Sequence, residues 1–283
     1  MMTIKKKNIT KEIFVYLIFI ILSAIFLFPI YWTFITAFKP SAEILKYPPR
    51  LIPATCTLDQ FNKLFTAGNG VFLQYIKNTV IITLGTILLV LFIIIPCSFS
   101  FALLPYKGQK IIFILVLSII MVPFQSLLVP LYNLLTKLKL FNTKIGIILI
   151  YSTFFMPFCI FMMRNAFKQL PKAIYESALL DGAGDFMIMM KIYLPLCIPS
   201  VVSCIIYLFI NGWNDFILSF IFSSSDKVRN IQVGINLFGK ERFTSDWGII
   251  NTGTVIAIIP TVILFIILQK YYVQGMTTGA VKE

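Results

Sequence analysis

The spacing of the charges limits this chain more than any other feature. Ile13 to Phe38 carries no charge at all. Further uncharged stretches lie between Lys77 and Lys107, between Lys110 and Lys137, and from Ile145 to Met163, bounded by Lys144 and Arg164. Pro199 to Phe222 holds one charge, Asp215, and the stretch between Asp246 and Lys270 holds none. A helix needs about 20 apolar residues to cross hydrocarbon, and each stretch is near or above that length. A lone segment in lipid satisfies its peptide groups only internally, so each reads as a helix. The expected fold is an all-α membrane bundle of six spans, approximately 13–38, 78–104, 111–134, 145–163, 199–222 and 248–269. These form one integral domain over 1–283. Pro29, Pro96, Pro123, Pro157 and Pro260 fall inside these runs and are expected to kink them.

Composition removes most other classes. Only 12% of the 283 residues are charged, about half the usual fraction in a soluble domain. The net charge of +13 is spread through the short connecting segments, without the basic stripe that a nucleic-acid surface needs. The five cysteines have no CxxC spacing, and four of them sit in or beside apolar runs, which argues against a disulfide framework or zinc site. There is no histidine, which removes HExxH metal sites and Ser-His chemistry. No catalytic residue or metal site is expected. Gly234 to Glu241 has the G-x-x-x-x-G-K frame of a phosphate loop, but Glu241 stands where a hydroxyl would hold magnesium and its carboxylate would repel phosphate. The first run follows Lys5, Lys6, Lys7 and Lys11 as a signal peptide would, yet it is too long for an h-region and no A-x-A site follows. With the N-terminus inside, the 24 basic residues divide 12 and 12 across the membrane. The N-terminal cluster breaks the tie, because the first helix usually dominates, so both termini are expected in the cytoplasm.

The connecting segment 164–198 is unusual. Pro171 suits the first turn of a helix, 172–180 are good helix formers, and Gly182 and Gly184 stop them. A short amphipathic helix beside the membrane is expected, and by itself such a helix reads equally as an interfacial anchor or as a docking element. Its mixed charges, with Glu176, Asp181 and Asp185 among basic residues, suit a protein partner better than anionic lipid.

The pattern Glu176-x-Ala178-x-x-Asp181-Gly182-Ala183, continued by Ile192 and Leu194-Pro195, resembles the EAA signature of binding-protein-dependent ABC importer permeases. One position departs from it, since Ser177 stands where alanine is usual. Leu140 to Gly146, Asn211-Gly-Trp213-Asn214-Asp215-Phe, Ser245-Asp-Trp-Gly and the stretch from Gln269 to Glu283 resemble the carbohydrate-uptake branch, in the position of the maltose-type second permease.

The resemblance implies a type I importer-like fold in which the segment around Glu176 is a coupling helix. It also implies a C-terminal tail (Gly275, Thr278, Gly279, Ala280) reaching the ATPase interface. The implied partners are a second permease subunit, a cytoplasmic ATPase dimer that binds ATP and magnesium, and an extracellular solute-binding protein. This chain would hold no cofactor and would carry half of a sugar pathway by alternating access. Glycerol-phosphate and other polar-solute importers share most of these motifs.

A stand-alone secondary transporter would need more spans and more intramembrane carboxylates than Asp215. An ionisable residue at membrane depth is by default functional, so Asn211, Trp213, Asn214 and Asp215 are the expected substrate path. Asp215 near the end of its run would equally reach water. The orientation is checked by labelling intact cells in a cysteine-free background. Lys172→Cys is expected to resist an impermeant thiol reagent and Lys227→Cys to react; the reverse order would invert the topology.

Overall fold

In the computed structural model, residues 9–240 and 246–280 are described, with side chains from 12 to 238 and from 246 to 269. Among them every regular element is helical. In chain order these are α1 (Ile9–Ala37), α2 (Ser41–Ile44), α3 (Asp59–Leu103), α4 (Gln109–Ser118), α5 (Leu128–Lys137), α6 (Lys144–Gln169) and α7 (Lys172–Leu180). They continue as α8 (Asp185–Ile188), α9 (Leu194–Leu196), α10 (Ile198–Asn214), α11 (Ile217–Phe222), α12 (Ile231–Lys240) and α13 (Trp247–Ala280). Four helices are long and apolar enough to cross a membrane, and there are up to six spans if each of two bent helix pairs counts as one.

The bent pairs depart from straight rods. The run expected at 111–134 turns by 92° between Gln109–Met121 and Phe124–Lys137. Val122 is extended and Pro123 follows it, which is the conformation a residue before proline prefers. The approach to the fifth run turns by 79° between Asp185–Leu196 and Ile198–Asn214, at Cys197, with Pro195 and Pro199 on either side. That run breaks again between α10 and α11 at Asp215, whose ψ of 130° is extended. The phosphate-loop frame lies largely in α12, a helix rather than a loop.

The chain forms two compact units, one of Met1–Gly70 with Ile235–Ile256 and the other of Val71–Gly234 with Ala257–Glu283. The boundary inside α3 follows a break at Ala67–Gly70, where Gly68, Asn69 and Gly70 all have positive φ. In the first unit, Asp246 Oδ1 accepts from the backbone of Gly248 at 2.9 Å and so caps the start of α13. The same carboxylate lies 3.8 Å from Lys63 Nζ.

Two apolar centres lie among the described residues of the second unit. One joins Val90, Ile94, Phe99, Cys159, Met163, Phe167, Tyr193 and Cys204 from α3, α6, the segment after α8, and α10. The other gathers Ile82, Ile147, Ile150, Tyr151, Leu218 and Phe222. Beside the latter, the segment after α11 is bound by polar side chains to α3 and to the turn that precedes α6. Tyr75 donates to Asp226 at 2.6 Å, Asn78 donates to the carbonyls of Asp226 and Arg229, and Asn142 accepts from the amides of Ser224 and Ser225.

Two glycines fix the packing density here. A Cβ at Gly146 would run into the Leu140 carbonyl, and one at Gly234 would strike the Tyr75 ring. Gly184 has open space around it. Backbone does not yield as a side chain end does, so Gly146→Ala is expected to cost about 1–3 kcal/mol through overpacking. Thermal unfolding in detergent should show a lowered midpoint for Gly146→Ala and none for Gly184→Ala.

Candidate functional site: a pinned helix and a polar cavity

The segment that resembles the EAA signature forms a helix and a defined turn. Leu170 and Pro171 are extended, so α6 stops and α7 starts in a new direction. At the other end Gly182 takes φ of +83°, which glycine enters without a Cβ penalty. The Gly182 amide donates to the Leu179 carbonyl and the Ala183 amide to the Ala178 carbonyl, each at 3.0 Å. These two bonds together make a Schellman cap, which satisfies carbonyls that a helix end would otherwise leave open.

One face of α7 is buried. Ala178 sits in the first apolar centre, with Ile174, Tyr175, Ala183 and Ile192 packed against it. The Tyr175 ring lies 6.2 Å from that of Phe99, which is 5.9 Å from Phe167 and 5.5 Å from Tyr193. Four aromatic rings from four segments thus hold the short helix to the bundle. The Tyr175 hydroxyl also donates to Asp185 Oδ1 at 2.6 Å. That bond, with burial and the carboxylate charge, pushes the phenol up to about 12. A raised phenol value means that the bond stabilises in full below the ordinary value of 10 and is lost as pH climbs through about 12. It is therefore intact at physiological pH.

The opposite face is bare. Glu176, Ser177, Leu179, Leu180, Asp181 and Gly182 are exposed, as are Phe186 and Met187 beyond the turn. Glu176 lies 3.2 Å from Lys172 Nζ one turn earlier, an exposed pair worth a few tenths of a kcal/mol, roughly. Leu194 is half-buried and Pro195 exposed on the way into α10. An exposed apolar strip rimmed by carboxylates marks an interaction surface.

The second locus is a cavity of about 810 Å³ in the second unit. Phe155, Phe158 and Tyr207 supply aromatic walls, and Gln125, Asn211 and Asn214 supply amides. Asn211 and Asn214 each donate to the carbonyl four residues back, at 2.8 and 2.9 Å. Each amide retains capacity for further hydrogen bonds.

Asp215 also lines the cavity, yet much of its carboxylate is committed to the fold. It accepts from the Tyr151 hydroxyl at 2.6 Å and from the Ser219 amide at 2.9 Å. Its backbone carbonyl accepts from Asn230 at 2.6 Å. Asp215 therefore closes the break between α10 and α11 by satisfying amides at the start of α11. Trp213 is placed elsewhere. It is buried, stacked on Phe209 at 5.3 Å, and its indole N–H donates to the Ala257 carbonyl at 2.9 Å, away from the residues that line the cavity.

Gln125, Phe155, Phe158 and Tyr207 were not among the sequence candidates. Gln125 carried a usable signal, a long amide beside a proline within an uncharged run; the aromatics carried none. Gly275, Thr278, Gly279 and Ala280 follow the backbone of α13, and their surroundings lie outside the described side chains.

The family model described as "Binding-protein-dependent transport system inner membrane component" matches residues 83–278. The arabinooligosaccharides transport system permease protein AraQ of Halalkalibacterium halodurans is 33% identical over 93% of this chain and 94% of its own length. The trehalose/maltose transport system permease protein MalG of Thermococcus litoralis is 30% identical over 98% of this chain and 99% of its own. Among solved structures, a bacterial ABC transporter involved in the import of the acidic polysaccharide alginate has a chain of the same fold. It matches with a TM-score of 0.83 and 19% identity, covering 96% of this chain and 100% of that one. A helical membrane chain with a capped, half-bare helix between apolar runs, matched over most of its length, belongs to the inner membrane components of binding-protein-dependent transport systems.

Proposed function

We propose that this chain is the permease subunit of an ATP-driven sugar importer. In this reading it forms half of the pathway beside a second permease, and a partner ATPase dimer binds ATP and magnesium. An extracellular binding protein delivers an oligosaccharide. The observation that carries the reading is α7, pinned to the bundle on one face and bare on the other. A helix held that way passes on a push from a cytoplasmic subunit without performing chemistry itself. The N- and C-termini then lie in the cytoplasm with α7, and α13 carries Gly275 to Ala280 toward the ATPase.

The sugar reading draws support from relatives named for arabinooligosaccharides and for trehalose and maltose. The cavity fits it, because aromatic walls match the apolar faces of sugar rings and amides match hydroxyl groups. A carboxylate on the same wall opposes phosphate, which weighs against a glycerol-phosphate substrate.

Substitutions at Glu176 and at Asp215 test the two loci. Glu176→Lys sets a cation beside Lys172 on the docking face and is expected to abolish uptake and substrate-stimulated ATP hydrolysis while the chain still inserts and assembles. Near-normal uptake would remove the docking role. Asp215→Asn keeps size and part of the hydrogen bonding, so uptake should fall less than with Glu176→Lys. Asp215→Ala leaves the Ser219 amide and Tyr151 hydroxyl without their acceptor, a loss of roughly 1–3 kcal/mol that a lowered unfolding midpoint would register. Abolished uptake in a stably folded Asp215→Asn, with dependence on an ion gradient, would instead indicate a secondary carrier.

A further inference from the structure

The segment between α1 and α3 is folded back onto the end of α1 rather than projecting from it. Lys39 is buried, with its ammonium 4.2 Å from the centre of the Trp32 ring and donating to the Arg50 carbonyl at 2.7 Å. Burial lowers that ammonium from its ordinary value of 10.5, while Glu43 pulls it back up. Glu43 is buried too, with both carboxylate oxygens 3.2 Å from the Ala54 amide. The Thr57 amide returns to the Phe38 carbonyl at 2.9 Å.

One bond sets the depth of this fold. Tyr31 donates to the Leu51 carbonyl at 2.7 Å. Tyr31 lies six residues before Ala37, roughly 9 Å down the axis at about 1.5 Å per residue. The run Glu12–Ala37 has 26 residues, about 39 Å of helix against about 30 Å of hydrocarbon. The excess is also about 9 Å, so Leu51 falls near the hydrocarbon boundary when that excess lies at the Phe38 end.

The side chains at that level are apolar and unpartnered. Leu45 is 77% exposed, Tyr47 90% and Ile52 75%, with Leu51 also exposed. Pro48, Pro49 and Pro53 have no N–H to leave unsatisfied there. Lys46 and Arg50 are exposed beside them, and the sole carboxylate between residues 39 and 58 is the buried Glu43. α1 itself, whose most apolar window is wholly unburied, continues directly into this surface.

We propose that residues 45–53 are a membrane-interface anchor. Leu45, Tyr47, Leu51 and Ile52 enter the boundary between acyl chains and headgroups, and Lys46 and Arg50 meet anionic phosphates. Lys39, bound under the segment, holds it at that depth. Amphipathic tips and basic residues are favoured at that level of a bilayer.

Nitroxide labels on the assembled complex in bilayers containing phosphatidylglycerol test this, using Leu45→Cys, Tyr47→Cys, Ile52→Cys and Ala42→Cys, each singly in a cysteine-free background. Relaxation by oxygen, which partitions into lipid, should exceed relaxation by a water-soluble nickel chelate at 45, 47 and 52. The order should reverse at 42. Nickel dominance at all four sites would overturn the anchor, and labels shielded from both reagents would assign the surface to a protein partner instead. The double variant Lys46→Glu with Arg50→Glu should shift the label at 52 toward nickel in phosphatidylglycerol and not in neutral phosphatidylcholine. An unchanged ratio would remove the headgroup role of the two cations.

Discussion

Lipid offers a peptide group no partner, so every interruption of a helix at membrane depth has to be closed by the chain itself. This constraint is most visible where α10 gives way to α11. The break exposes the first amides of α11, and Asp215 accepts from one of them while holding the Tyr151 hydroxyl. Asn230 ties the Asp215 carbonyl to the start of α12, where its side chain also accepts from the Val233 amide. A carboxylate, a phenol and an amide thus make a bend tolerable, and the bend puts Asn211 and Asn214 on the wall of a cavity instead of against acyl chains. The irregular backbone is where the polar lining arises.

The second unit carries two different arrangements along its length. Around Tyr151 and Asp215 the elements are joined by hydrogen bonds between side chains far apart in sequence. Around Phe99 and Tyr193 they are joined by ring edges and aliphatic packing, with α7 docked through Ala178 and Tyr175. Polar bonds fix direction, whereas ring packing fills space and transmits pressure. Each has its own locus, a lined cavity in one case and the docked α7 in the other.

Charge spacing made the helical class and the apolar runs legible, because the cost of burying charge in lipid leaves its mark on sequence directly. Pro171 and Gly182 likewise marked the ends of α7, since both act through their own backbone. Pro123 marked a kink, but its 92° angle depends on what packs around it. The second partner in each long-range pair was not legible. Tyr151 meets Asp215 across 64 residues, and no spacing rule announces it. Trp213 illustrates the converse. Its place among polar residues suggested a path, whereas the indole is turned to a carbonyl on α13. Lys39 ends the first uncharged run without any sequence sign of burial, which follows from the fold-back of residues 45–57 onto the end of α1.

The aromatic cluster beneath α7 has a mechanical corollary. Phe99 belongs to α3, Phe167 to α6 and Tyr193 to the segment entering α10, and Tyr175 rests on the first of them. Rings packed edge to face resist compression through contact repulsion and resist separation through the apolar area that parting would expose. A load on α7 is therefore shared at once by α3, by α6 and by the segment leading into α10, with the Tyr175–Asp185 bond as a further tie.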